Sequence, residues 1–147
     1  MKIFIKILIL CFLIANTSFA QTKEEKRAEF VMLNMQQDYT ICYSFYKIGA
    51  EYVRKTGGKS SVIEGIEKSS DTSLELAHDV GELLGLTAEE MSKKIKKEIK
   101  SQLNLINNDF SNASLLLEKY ARTCKDLIED KKKIIYFWEK KASNKFK

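Results

Sequence analysis

The chain has 147 residues, with 25 Lys and Arg against 20 Asp and Glu, 44% hydrophobic residues, three cysteines, one histidine and no proline. That length holds one domain with a sizeable core and not two ordinary ones. The positive balance of +5 is mild and rests on 22 lysines and only three arginines. This composition argues against nucleic-acid recognition, which favours arginine forks on phosphate and base edges.

The N-terminal stretch MKIFIKILILCFLIANTSFA places Lys2 and Lys6 ahead of an apolar run from about Ile7 to Ala15, then a small-x-small site at Ser18-Phe19-Ala20. This is the pattern of a signal peptide, residues 1–20, expected to be cleaved after Ala20. The run falls short of the roughly 20 apolar residues that cross a bilayer. Cys11 lies inside the run and follows Leu10, which does not suit a lipoprotein site. Cleavage leaves a single helical domain, residues 21–147, with a net charge of +3 because Lys2 and Lys6 leave with the leader. The expected location is the periplasm of a Gram-negative envelope, or outside the cell.

From about Lys23 to Lys55, Val31, Met35, Tyr39, Cys42, Phe45, Tyr46, Gly49, Tyr52 and Val53 recur at intervals of three and four, which predicts a first helix. Gly57-Gly58 should end it as a left-handed cap. A second helical region covers SSVIEGIEKSS and DTSLELAHDVGELLG, with a break expected at Ser69 to Ser73. Thr87-Ala88-Glu89-Glu90 is a capping box opening a third helix. Its stripe of Met91, Ile95, Ile99, Leu103 and Ile106 opposes Lys93, Lys96, Lys97 and Lys100, and it should end near residues 107–109. Ser111 or Asn112 is expected to cap a last helix, with a seam of Leu117, Ala121, Cys124, Leu127, Ile128, Ile134, Ile135 and Trp138. The tail from about residue 142 should fray. No period-two alternation predicts a strand. The expectation is an all-α protein, an antiparallel four-helix-bundle-like domain.

In that topology Cys42 lies 13 residues before the end of the first helix, and Cys124 lies 12 residues after the start of the last. At about 1.5 Å per residue both sulfurs sit roughly 20 Å below one end of the bundle. Level with each other, on apolar seams and in an oxidising compartment, they are expected to form a disulfide. Closing so long a loop should contribute about 4 to 5 kcal/mol by the chain-entropy argument. A zinc site does not suit two thiols 82 positions apart and a single histidine, so neither metal nor cofactor is expected.

His78 shares a helix face with Glu75 and Glu82, a spacing that suits an ordinary surface helix better than a proton relay. No G-x-S-x-G elbow supports a triad. GGKSS at 57–61 lacks the first glycine of a phosphate loop, because position 53 is valine. Two surfaces invite contact. The aromatic-basic segment offers Tyr136, Phe137, Trp138, Lys140 and Lys141 as a candidate protein-binding surface, since more aromatic and aliphatic bulk is present than one helix face can bury. The alternative is that these rings close the bundle end against Phe30 and Val31. Lys93, Lys96, Lys97 and Lys100 form a candidate basic face for anionic lipid. The expected function is non-catalytic binding of a protein or other envelope component. The rival functions are a small cell-envelope hydrolase with converging carboxylates and a protein that rests on the membrane surface.

Overall fold

Local chemistry marks most helix ends. In the computed structural model, which describes residues 21–147, five α-helices follow one another: α1 Lys23–Lys55, α2 Ser60–Leu83, α3 Ala88–Leu105, α4 Ser114–Glu129 and α5 Lys131–Lys145. A short 3-10 turn, Phe110–Asn112, precedes α4, and no strand occurs among the described residues. The expected signal peptide lies outside the described residues.

Thr87 opens α3 through the expected capping box, its hydroxyl accepting from the Glu90 amide and the Glu90 carboxylate accepting from the Thr87 amide. Thr22 and Glu25 make a second box at the start of α1. At the C-terminus of α1, Gly57 takes φ 73° and the Gly58 amide donates to the Val53 carbonyl at 2.8 Å, the double bonding of a left-handed cap. Asn107 and Asn108 perform that service after α3 with φ of 55° and 57°, and the Asn108 amide reaches the Leu103 carbonyl.

Three expectations about where helices break or begin need correction. The second helical region is one unbroken helix through Ser69 to Ser73. Ser69 and Ser73 donate their hydroxyls to the carbonyls of Gly65 and Ser69, four residues back, so they satisfy themselves within the helix instead of breaking it. The last helical region is two helices. Asp130 leaves helical geometry at φ −137° and ψ 68°, and its carboxylate caps α5 by accepting from the Lys133 amide. Neither Ser111 nor Asn112 caps α4; both lie in the 3-10 turn, capped by Asp109, while the Asn112 amide group donates to the Ile106 carbonyl.

α1, about 50 Å long at 1.5 Å per residue, backs every other helix. α2 runs antiparallel to it, as Ser70 meets the Tyr43 carbonyl and Arg54 pairs with Glu67. α4 and α5 also run antiparallel to α1, with Tyr120 beside Phe45, and Trp138 and Phe146 beside Phe30. α3 crosses α1, its Met91 at Gln36 and its Gln102 at the Ile41 carbonyl. The core joins Met35, Tyr39, Cys42, Phe45 and Ile48 of α1 to Met91, Ile106, Leu116, Leu127 and Ile134.

The α1–α2 seam is packed by small and polar residues. Gln36, Thr40 and Ser44 of α1 and Ser70, Ser73, Ala77 and Gly81 of α2 are all buried. Thr40 and Ser44 return their hydroxyls to carbonyls one turn back, so the backbones approach closely without stranding these donors. At Gly81 a Cβ would sit 2.5 Å from the Met91 sulfur, so glycine there makes room for α3.

The disulfide joins Cys42 of α1 to Cys124 of α4, with a Cα–Cα distance of 5.2 Å and both residues fully buried. The register argument of the sequence holds because α1 and α4 are antiparallel neighbours. The C-terminal tail, expected to fray, is helical to Lys145, because Ala142 is buried, Phe146 packs edge-on to Phe30, and Arg27 donates to the Phe146 carbonyl.

A candidate binding groove

Between α1, α2 and α4 runs a groove of about 400 Å³, within the range of small-molecule sites. α1 supplies Phe45, Ile48, Gly49, Tyr52 and Val53 on one inner stripe, and α2 adds Ile66. α4 with its N-cap residue Ala113 supplies Ala113, Leu116, Leu117, Ala121 and Lys125, spaced by three and four residues along one face. Lys125 is the only charged side chain in that lining, and Glu129, its ion-pair partner, also places its charge near the Tyr46 hydroxyl.

The groove exists because two positions fail to fill it. Gly49 places no side chain on the floor, and a Cβ built there meets only the Ile66 methyl at 4.0 Å, an ordinary contact. Leu117, expected on the buried seam of the last helix, is 55% exposed at the rim. The reason is geometric: the α4 stripe of Leu116, Cys124 and Leu127 turns inward, which sets Leu117 one residue round the helix toward the opening.

The polar end is defined by three side chains. Lys125 Nζ stands 3.9 Å from Glu129, a loose pair on an exposed surface, with the lysine 68% exposed. Burial, then the Glu129 charge, raises the Tyr46 hydroxyl above the usual tyrosine value. The phenol therefore keeps its proton at neutral pH and remains a hydrogen-bond donor.

Two other recesses are of mixed character. One of about 530 Å³ lies between the start of α1 and the end of α5 and combines Glu24, Arg27 and Glu139 with Val31 and Met32. Another of about 300 Å³ is lined by Lys47, Glu51, Arg54 and Glu67 with Leu103 and Phe110. Neither offers a continuous apolar wall.

The residues singled out from the sequence divide between surface and scaffold. Tyr136 and Phe137 are 66% and 46% exposed, and Lys140 and Lys141 are also exposed. Lys141 places its ammonium 4.5 Å from the Phe137 ring centre. Trp138 turns the other way: it meets Phe30 edge-on and donates to Asp38 at 2.7 Å. Lys93, Lys96, Lys97 and Lys100 all face solvent along α3, with Lys93 paired to Glu89. His78 is half-buried on α2 while Glu75 and Glu82 are exposed, and no hydrogen bond or ion pair joins the three among the described residues. No group of three or more His, Cys, Asp or Glu is placed to hold a metal ion among the described residues. No helix among them is long and apolar enough to cross a membrane. In comparison with known proteins, no family model, no curated protein and no solved structure matches the chain.

Proposed function

We propose that this is an exported, non-catalytic binding protein of the cell envelope, an antiparallel helical bundle freed of its leader, which takes an apolar guest in the groove between α1, α2 and α4. The observation that carries this reading is the nearly unbroken apolar lining of a 400 Å³ groove whose floor is left open by Gly49. Apolar surface in such a recess gains by leaving water with a guest, at about 25 cal/mol per Å² removed. The buried disulfide supports export, since such bonds persist in oxidising compartments.

An apolar fluorescent probe such as N-phenyl-1-naphthylamine tests the groove. Its emission should rise on mixing with the native protein and should not rise with Gly49→Leu, in which a side chain occupies the floor. Equal emission from both proteins, or none from either, would remove the groove as the binding site.

A second surface has its own support. Tyr136, Phe137, Lys140 and Lys141 form an exposed aromatic-basic strip on α5, of the composition that protein interfaces favour. On this reading the outer face of α5 holds a protein partner while the groove holds the guest.

A further inference from the structure

The groove's shape decides what kind of guest it admits. The wall formed by α4 and its N-cap runs from Ala113 to Lys125, twelve steps along the chain, or about 18 Å at 1.5 Å rise each. A volume of about 400 Å³ open to the centre of a water molecule, over that length, gives a section of roughly 22 Å², and adding a water radius of about 1.4 Å on each side sets the walls roughly 8 Å apart. An α-helix with its side chains is about 10–12 Å wide, wider than the groove, so the walls would not enclose it. A β-strand with side chains on both faces needs about 10 Å in depth. A single hydrocarbon chain, with carbon contacts at about 3.5–4.0 Å, fits. Length agrees as well: one acyl chain reaches across half of the roughly 30 Å hydrocarbon core of a bilayer, about 15 Å.

Charge then gives the guest a direction. The far end, at Ala113, Val53 and Ile66, carries no charged lining residue. At the near end stands the Lys125 ammonium, its only ion-pair partner among the described residues the Glu129 carboxylate at 3.9 Å, whose charge also reaches the hydroxyl of the lining residue Tyr46. A chain whose tail lies toward Ala113 brings its head to these two donors. An anionic head gains there, and a cationic head meets repulsion.

We infer that the groove binds a single-chain fatty carboxylate, its hydrocarbon tail along the α1–α4 wall and its carboxylate at Lys125 and Tyr46. This rests on the groove being the binding site, as proposed above, and adds the ligand class and orientation. Glu129 acts in this arrangement as the internal carboxylate that the ligand head displaces from Lys125. The site is reversible and non-covalent, and no bond is made or broken.

Calorimetric titration of the full, oxidised protein with dodecanoate, dodecanol and dodecyltrimethylammonium, each below its aggregation concentration, tests the inference. Affinity for carboxylates should rise about fourfold for each added methylene until the groove is full. Dodecanoate should bind more tightly than dodecanol, and dodecyltrimethylammonium most weakly. Lys125→Glu should erase the preference for the acid, at a cost of about fivefold or more on dodecanoate and little on dodecanol. Glu129→Gln, which frees Lys125, should tighten dodecanoate. Gly49→Leu should abolish binding of all three with its melting temperature retained.

Equal binding of acid and alcohol, unmoved by Lys125→Glu, would overturn the carboxylate and its orientation while leaving an apolar-guest site in place. No binding of any of the three by the native protein would overturn both readings. Binding to phosphatidylglycerol vesicles without binding of monomeric dodecanoate would assign the groove to a membrane surface instead. A concentration-dependent dimer that dodecanoate does not dissociate, seen by sedimentation, would assign it to a second copy of the chain.

Discussion

The indole Nε1 of Trp138 donates a 2.7 Å hydrogen bond to Oδ2 of Asp38, joining positions 100 residues apart and tying α5 to α1. Asp38 is half-buried, and burial raises its carboxyl above the ordinary value of 3.8, against the opposing pull of the Trp138 bond and the Lys141 charge. The folded chain thus holds the Asp38 proton more tightly than the unfolded chain does. This group contributes stability that is full below the ordinary value and is lost as pH rises through the raised one.

Asp38→Asn keeps an oxygen acceptor for the indole and has no charge to desolvate. Its stability relative to the native protein should rise as pH climbs through the acidic range and then become constant. Urea unfolding at a series of pH values measures the difference, and a constant gap throughout would remove Asp38 as the cause. Trp138→Phe, which keeps the ring packing on Phe30 but deletes the donor, should cost about 1 to 3 kcal/mol at neutral pH, the price of a carboxylate left without its partner.

Cys42 and Cys124 close a loop spanning 82 positions and sit wholly inside the core, so the bond constrains the unfolded chain and fills space in the folded one. Replacing both by Ala should cost about 2 to 5 kcal/mol and lower the melting temperature by roughly 10 °C or more. If the chain is exported as proposed, protein recovered from its native cells and alkylated without reduction should show the mass of residues 21–147, less two hydrogens and without alkyl adducts. A retained leader would contradict export with cleavage after Ala20, and adducts on both Cys42 and Cys124 would contradict the bond.

Gly49 and Gly81 both lie inside helices, where glycine costs about 1 kcal/mol against alanine. A Cβ at position 49 meets only the Ile66 methyl at 4.0 Å, whereas one at position 81 would lie 2.5 Å from the sulfur of the buried Met91. The same substitution should therefore act in opposite directions. Gly49→Ala should stabilise by about 1 kcal/mol, while Gly81→Ala should destabilise by up to about 2 kcal/mol, since overpacking of about 1 to 3 kcal/mol outweighs the propensity gain. Thermal melts of the two variants side by side check the signs.

The features legible in the sequence were those with local causes. Thr87 and Glu90, Gly57-Gly58 and Asn107-Asn108 each fix a helix end through bonds within a few residues, and the Cys42–Cys124 pairing followed from counting to Lys55 and to a helix start placed near Asn112, two residues before the observed start at Ser114. Residues whose role depends on distant chain were misread or passed over. Thr40, Ser44, Ser70 and Ser73 look like solvent-facing polar residues, yet each is small enough to let α1 and α2 close together. Asp130 resembles any exposed acid until its break from helical geometry turns α5 onto Phe30 and Asp38. The groove was least visible of all. It is made by a side chain that Gly49 lacks and by the rotation of Leu117 out of the α4 seam, neither of which leaves a residue pattern of its own.

α5 presents two faces that point mutations can separate. Ile134, Trp138 and Ala142 follow a spacing of four and face inward, and Tyr136 and Phe137 stand outward with Lys141 against the Phe137 ring. Trp138→Ala should therefore cost about 2 to 4 kcal/mol, below the full cost of a wholly buried ring, and any loss of partner binding it causes would follow from α5 loosening. The double variant Tyr136→Ala and Phe137→Ala removes the outer face and one edge-on contact of Phe137 with Trp138, and should cost about 0.5 to 1.5 kcal/mol, less than Trp138→Ala. If that face holds a protein partner, crosslinking in the native cells should lose its product with the double variant while fatty carboxylate affinity in the groove stays unchanged. Crosslinking that survives the double variant would place the partner elsewhere on the molecule, with the exposed lysines of α3 the next surface to alter.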